Sequence, residues 1–207
     1  MASPAIKAVV SAAVGLTSLF TVPAAQAAPM APAAFPAHYA APYLELSNDT
    51  VGDMAADQKA TGLNHYTLAF LIPKSGCTPQ WENGNYALGS FKSQIASLQS
   101  SGGDVIISFG GAEGGELALT CTNQDNLQAA YANVVRTYNV HQLDFDIEGG
   151  PLNNKASVTR RNKALAALQK ADPSVKVDFT LPVDPGGLPS TSQVRPASGL
   201  PCRGSLR

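Results

Sequence analysis

Charge, cysteine and tryptophan are all scarce in this 207-residue chain. Its 14 basic side chains nearly balance 15 acidic ones, so nothing favours nucleic acid or an anionic membrane surface as a partner. Beyond the N-terminal segment, no apolar run approaches the roughly 20 residues that a membrane-spanning helix needs. No G-x-G-x-x-G opens a helix and no G-x-x-x-x-G-K-[ST] is present, which leaves nucleotide binding without support.

The first residues have the composition of an export signal. Lys7 precedes the apolar run Ala8–Val22, and Ala25-Gln26-Ala27 fits a small-x-small cleavage site. We predict a secretory signal peptide over residues 1–27, with a membrane anchor as the weaker alternative. The expected product is a secreted, extracellular protein with no membrane attachment after cleavage, and nothing requires more than a monomer.

Three cysteines limit an exported chain to one internal disulfide and one leftover thiol. We predict that Cys77 pairs with Cys121, because each lies in a loop just after a predicted strand. Cys202 is then the unpaired residue. It falls in a segment, 185–207, that is rich in Pro, Gly, Ser and Arg and contains no acid. Such a segment is expected to be disordered.

Between a Pro/Ala-rich linker at 28–37 and that tail, strand and helix patterns alternate over residues 38–184. The predicted strands are 39–46, 65–72, 104–109, 139–148 and 175–183. The predicted helices are 53–60, 88–98, one opened by a capping box at Thr122 and Asp125, and 157–170. Crossover helices force parallel neighbours, so the pattern predicts a parallel α/β fold. A doubly wound sheet and a β/α barrel both fit this alternation.

The fourth strand ends in a row of acids. Asp144, Asp146 and Glu148 alternate with three large apolar residues that face the other way. Three aligned carboxylates are unstable unless at least one holds a proton. We predict that its two neighbours keep the last carboxyl protonated, which is how a general acid is prepared. An acidic solvent face and a Ca²⁺ or Mg²⁺ site are alternatives, although the EF-hand spacing is absent. The apolar opposite face and the following Gly-Gly favour a buried strand with its acids at the C-terminal end.

Two segments together carry a family resemblance: Ser108-Phe109-Gly110-Gly111 on the third predicted strand, and Asp144-Phe145-Asp146-Ile147-Glu148 on the fourth. They resemble the S-x-G-G and D-x-D-x-E motifs of glycoside hydrolase family 18, the retaining chitinases and their relatives. The usual acidic motif opens with Asp-Gly, where this chain has His141-Gln142. The resemblance implies a (β/α)8 TIM barrel, with only about the first five β/α units present in residues 38–184.

The resemblance also implies roles for individual residues. Glu148 is expected to be the general acid, and Asp146 to turn toward the substrate's 2-acetamido group, whose oxygen attacks the anomeric carbon. Asp144 would lie beneath and tune Asp146. Ser108, Gly110 and Gly111 are expected to form the pocket floor. The implied substrate is chitin or chitooligosaccharides, β-1,4-linked N-acetylglucosamine polymers, with no cofactor and no metal.

A complete family barrel continues with three further strand–helix units. We therefore expect this chain to be truncated after its fifth strand, with a non-native tail of the kind that a frame shift near 184–189 produces, and its activity to be in doubt. Two other functions stay open: a non-catalytic chitin- or glycan-binding relative, and an endo-β-N-acetylglucosaminidase acting on N-glycan cores.

Other side chains have two interpretations each. Trp81 is a candidate substrate contact, although a tryptophan buried beside the disulfide is equally compatible with the pattern. Tyr43 is also a candidate contact, but the pattern favours a core role for Tyr39 and Tyr43. Glu113 and Glu116 either line the cleft entrance or belong to a solvated loop. The histidines are expected at the surface or at strand ends: His38, His65 and His141.

Overall fold

The computed structural model describes residues 35–113 and 115–187. The predicted signal peptide, most of the predicted linker, the predicted tail and Cys202 lie outside these residues. In the described part the strands are β1 (Tyr43–Glu45), β2 (His65–Ser75), β3 (Thr78–Trp81), β4 (Asp104–Gly110), β5 (Gln142–Asp146) and β6 (Lys176–Thr180). The helices are α1 (Asp53–Thr61), α2 (Lys92–Ser100), α3 (Leu117–Thr120), α4 (Gln124–Tyr138), α5 (Gly150–Asn153) and α6 (Lys155–Ala171).

The five predicted strands form one parallel sheet in the order β1-β2-β4-β5-β6. Each strand lies beside the preceding one of this series, and the order never reverses. A doubly wound sheet requires a reversal, whereas a β/α barrel does not. The described residues therefore form part of a β/α barrel. β3 is an addition: it pairs antiparallel with β2 and lies off this path.

Several element boundaries differ from the sequence-based expectations. The first strand has three residues instead of eight, and it begins just after Pro42, which has no N–H to donate to a ladder. β3 lies in the stretch predicted as loop. Thr122 is not the cap of α4: Asn123 is the N-cap, and its side chain accepts a hydrogen bond from the backbone N–H of Asn126 at 2.9 Å.

The two faces of the sheet have opposite character. Leu143, Phe145 and Ile147 are almost fully buried, as the alternation predicts. Phe145 stacks on Phe109 of β4 at 5.0 Å between ring centroids, and Tyr131 of α4 packs edge-on against it. This apolar face is thus covered by helices. The opposite face has the acids, hydroxyls and an amide, and it positions the candidate site.

A disulfide joins Cys77 to Cys121, the pair predicted from the sequence. It ties the turn between β2 and β3 to the residue that follows α3. The bridge thus links this turn to the segment of chain that leads from α3 into α4. No helix in residues 35–187, as far as they are described, is long and apolar enough to cross a membrane.

Candidate active site

Asp144 of β5 is the centre of a hydroxyl cage drawn from three other strands. Its Oδ2 accepts hydrogen bonds from Ser108 of β4 at 2.6 Å and from Tyr43 of β1 at 2.9 Å. Its Oδ1 accepts one from Thr180 of β6 at 3.0 Å. The Tyr43 and Thr180 hydroxyls are themselves 2.8 Å apart. Both oxygens of this buried carboxyl group therefore have donors.

Burial and hydrogen bonding oppose each other at Asp144. Burial raises the pKa of the Asp144 carboxyl, and the charge of Asp178 raises it further. The hydroxyls of Ser108, Tyr43 and Thr180 lower this pKa because they stabilise the charged form, but burial prevails. The three hydroxyl donors thus reduce the free-energy cost of burying a charged carboxylate next to other acids.

Asp146, two residues further along the same face, lacks such a cage. Its side chain is 7 % exposed, and its Oδ1 is buried with no hydrogen-bond partner among the described residues. Burial raises the pKa of Asp146 to about 7, with further contributions from the charges of Glu148 and Asp144 and from a hydrogen bond with Glu148. Near neutral pH this carboxyl holds a proton for a substantial fraction of the time.

Glu148 lies beyond the strand. The sequence predicted a strand that continues to Glu148, whereas β5 ends at Asp146. The Glu148 side chain is exposed at the C-terminal edge of the sheet. The expectation that one acid of the row holds a proton is supported by the raised pKa of Asp146. The sequence argument assigned that proton to the last acid, whereas the structure supports it one acid earlier, because Asp146 is the more deeply buried of the two.

Gly110 and Gly111 let the ends of β4 and β5 approach closely. Gly110 has φ +103°, and a Cβ built on it would lie 2.1 Å from the carbonyl oxygen of Asp146. Gly111 has φ +84°, and its N–H donates to that same oxygen at 3.0 Å. Only glycine fits these positions without strain. The pair therefore fixes the backbone from which Asp146 projects.

Two aromatic predictions need correction. Trp81 is 0 % exposed and lies on β3, where its Nε1–H donates to the Tyr138 hydroxyl at 2.8 Å. A side chain enclosed in the core cannot stack on a sugar, so the substrate-contact prediction for Trp81 is wrong. Tyr43 is 43 % exposed and contacts Asp144, so the core alternative is wrong for that residue.

Glu116 is also placed differently from the default expectation of a solvated loop. It is buried, and its Oε1 accepts a hydrogen bond from Arg161 of α6 at 2.6 Å. Glu113 is exposed. Sequence reasoning also missed Thr180, although it occupies an inward position in the alternation of β6. In the described residues, no cluster of three His, Cys, Asp or Glu side chains has an arrangement suited to a metal ion.

Comparison with known proteins identifies relatives for most of the chain, although no family model matches it. A "Probable bifunctional chitinase/lysozyme" of Escherichia coli K12 is 39 % identical over 163 residues, which are 75 % of this chain and 18 % of that protein. "Endochitinase 11" of Metarhizium anisopliae is 38 % identical over 162 residues, 75 % of this chain and 30 % of that protein.

Solved structures give the same result. The catalytic domain of a hyperthermophilic chitinase from Pyrococcus furiosus is 35 % identical, with a TM-score of 0.65 over 75 % of this chain and 50 % of that one. Active-site mutants of this domain, complexed with chito-oligosaccharides, match with a TM-score of 0.67. The chain thus spans half of these solved domains and less than a third of the two curated relatives. Over three quarters of its length the chain is thus similar to chitinases, at 35–39 % sequence identity.

Proposed function

We propose that this chain has the acid groups of a chitinase that hydrolyses β-1,4-linked N-acetylglucosamine polymers with retention of configuration. The observation that carries the proposal is the pair formed by Asp146, buried with one oxygen unpartnered, and Glu148, exposed beside it at the edge of the sheet. A protein whose solved complexes contain chito-oligosaccharides shares the fold at 35 % identity, which supports this substrate class.

Glu148 is the general acid. Its exposed carboxyl group reaches a bound glycosidic oxygen and gives it a proton as the bond to the anomeric carbon breaks. The carbonyl oxygen of the sugar's own 2-acetamido group attacks that carbon, so no second enzymic nucleophile is required. Water then opens the resulting cyclic intermediate, and Glu148 takes a proton from this water, which restores the starting state.

Asp146 links the two half-reactions. In the resting site its raised pKa of about 7 lets it hold a proton for part of the time near neutral pH. When the proton moves to Glu148, the free Asp146 carboxylate accepts the acetamido N–H and stabilises the positive charge that develops on the acetamido group. Asp144 stays fixed beneath by its three hydroxyl donors, and its charge keeps the proton affinity of Asp146 high.

The test uses the full 207-residue chain and a fluorogenic chitooligosaccharide. We expect Glu148→Gln to lower kcat by a factor of about 10² to 10⁴ with little effect on the circular dichroism spectrum. Glu113→Gln, which changes an exposed loop glutamate, is the matched control and should retain wild-type turnover. Equal rates for wild type and Glu148→Gln would remove the hydrolase proposal.

A second substrate follows from the name of one relative. The Escherichia coli protein is described as a bifunctional chitinase/lysozyme, so peptidoglycan is assayed beside chitin. Release of soluble fragments from peptidoglycan by wild type but not by Glu148→Gln would extend the proposal to that polymer.

We also propose that the protein is secreted as a monomer after cleavage at Ala27. N-terminal sequencing of exported protein should then begin at Ala28.

A further inference from the structure

One layer below the caged carboxylate, β5 presents an amide instead of a further acid. Gln142 occupies the inward position two residues before Asp144, and its side chain is only 6 % exposed. Its Nε2 donates to Asp178 Oδ2 of β6 at 2.5 Å and to the Tyr39 hydroxyl at 3.0 Å. The amide thus bridges β6 and the segment that precedes β1.

Asp178 is the nearest acid to the cage that the proposed mechanism does not use. It is the direct neighbour of Asp144 across the β5–β6 ladder, and the two side chains lie on the same face. Its carboxylate nevertheless bonds to Gln142, toward the amino end of the sheet. The titratable groups on the same face beside it are Asp144 of β5 and Lys176, two residues earlier on β6. Tyr39 shares the Gln142 amide, and its ring centroid lies 6.2 Å from that of His65.

Two carboxylates at adjacent positions share a proton when their side chains are free to meet. An amide N–H prevents this, because it stabilises the charged form of one carboxylate and holds it in place without adding charge of its own. We propose that Gln142 is a positioning residue that holds the Asp178 carboxylate turned away from Asp144, so that both oxygens of Asp144 stay available to its three hydroxyl donors. The consequence for catalysis rests on the proposed function, whereas the consequence for the protonation of Asp144 does not.

The primary test is a ¹³C NMR titration of the aspartate side-chain carboxyls in the full chain. Gln142→Leu replaces the side chain with an apolar one of similar size and removes the Nε2 donor. We expect it to raise the titration midpoint of Asp144 by about one pH unit, since Asp178 becomes free to compete for the same proton. Adding Asp178→Asn to Gln142→Leu should cancel that rise. An unchanged midpoint in Gln142→Leu, or a rise that persists in the double variant, would overturn the proposal.

Asp178→Asn alone keeps the test decisive if Gln142→Leu does not fold. It is isosteric at a half-buried position, and it should lower the Asp144 midpoint because a neighbouring like charge is gone. That fall should be small, and a fall of a full pH unit or more would contradict the proposal, because Gln142 would then not be keeping Asp178 away from Asp144.

Chitooligosaccharide hydrolysis gives the second readout. The pH–rate profile should move in Gln142→Leu and return in the double variant, whereas a packing role alone gives a loss of rate that Asp178→Asn does not restore. An inactive wild type whose titrations behave as expected would end the proposed function but support this inference. If wild type is active and the Asp144 midpoint is unchanged in Gln142→Leu, the proposed function is supported and this inference is wrong.

Discussion

Asp144 and Asp146 show how neighbouring donors separate the roles of two identical side chains. They lie on the same strand and the same face, and both are buried. Asp144 has three hydroxyl donors, whereas Oδ1 of Asp146 has no partner in the described residues. The first is therefore held in one position, and the second is free to exchange a proton and to meet a ligand.

Asp146 should make stability fall with rising pH. Its pKa is about 7 in the folded protein and near 3.9 in an unfolded chain, so between these values the folded state binds the extra proton. Its contribution is fully present below about pH 4 and is lost as the pH rises through 7. From pH 4 to pH 8 we expect wild type to lose about 3–4 kcal/mol of unfolding free energy relative to Asp146→Asn. Urea unfolding at both pH values measures this, and parallel pH dependences would contradict it.

Gly110 should tolerate no side chain. Gly110→Ala places a methyl group against the Asp146 carbonyl oxygen at a positive φ, and we expect a loss of about 3 kcal/mol of unfolding free energy. Gly150→Ala is the matched control, because a Cβ there meets no atom within 4 Å and its φ is ordinary. Thermal unfolding compares the two, and a similar melting temperature for both variants would refute the close-approach argument.

Residue-level prediction succeeded where a motif fixes the spacing. The acids and the glycine pair are adjacent in sequence to strand ends, so their places follow from the two-residue alternation alone. Tyr43 and Thr180 reach Asp144 from strands far away in sequence, and only the order and stagger of the strands bring them there. The error at Trp81 has a similar origin, because the unpredicted hairpin strand turns its ring into the core.

At the scale of elements, α6 is tied to the loop before α3 by a buried ion pair. Arg161 and Glu116 are 0 % and 2 % exposed, and Arg161 also lies 5.5 Å from the Phe179 ring of β6. Glu116 Oε2 and two nitrogens of Arg161 have no hydrogen-bond partner among the described residues. An incompletely satisfied pair of this kind contributes little net stability, although removal of one partner is costly.

Arg161→Met should therefore destabilise the fold by about 3–5 kcal/mol, because Glu116 is left charged and buried. Arg161→Met combined with Glu116→Leu should recover most of that loss. Urea denaturation of the three proteins measures the coupling. If the double variant is as unstable as the single one, the cost comes from lost packing of the arginine stem and not from an uncompensated charge.

Elements with long apolar patterns were predicted well. Gly62 ends α1 in a left-handed conformation, and α6, predicted over 157–170, buries Val158, Leu165 and Leu168. The four-residue helices α3 and α5 have no such pattern, since one helical turn is too short to show a period. β3 was missed because two prolines near it, Pro73 and Pro79, are typical of a loop.

For the whole molecule, the single tryptophan is a useful reporter. Trp81 is fully buried and packs on Phe91 and Tyr138, which belong to the same core cluster as the apolar side chains of β4 and β5. We expect its fluorescence and the far-ultraviolet circular dichroism to report one coincident transition in urea. Two separate midpoints would mean that the hairpin unfolds independently of the sheet.

The alternation of strands and helices predicted a parallel α/β molecule but left the winding open. A barrel and a doubly wound sheet require the same local sequence patterns, and they differ only in the edge to which each new strand adds. Short-range patterns have no information about that choice. The resemblance to family 18 indicated the barrel, and the unreversed strand order agrees with it.

That unreversed order also affects how the chain is assembled. β2 finds β1 already synthesised, β4 finds β2, β5 finds β4, and β6 finds β5. Each described strand after β1 finds a neighbour that has already been synthesised, so the sheet can grow from the N-terminus as the polypeptide emerges from the ribosome or an export channel. Asp144 acquires its last hydroxyl donor, Thr180, only when β6 docks, so the acid layer is completed at the final step of this growth.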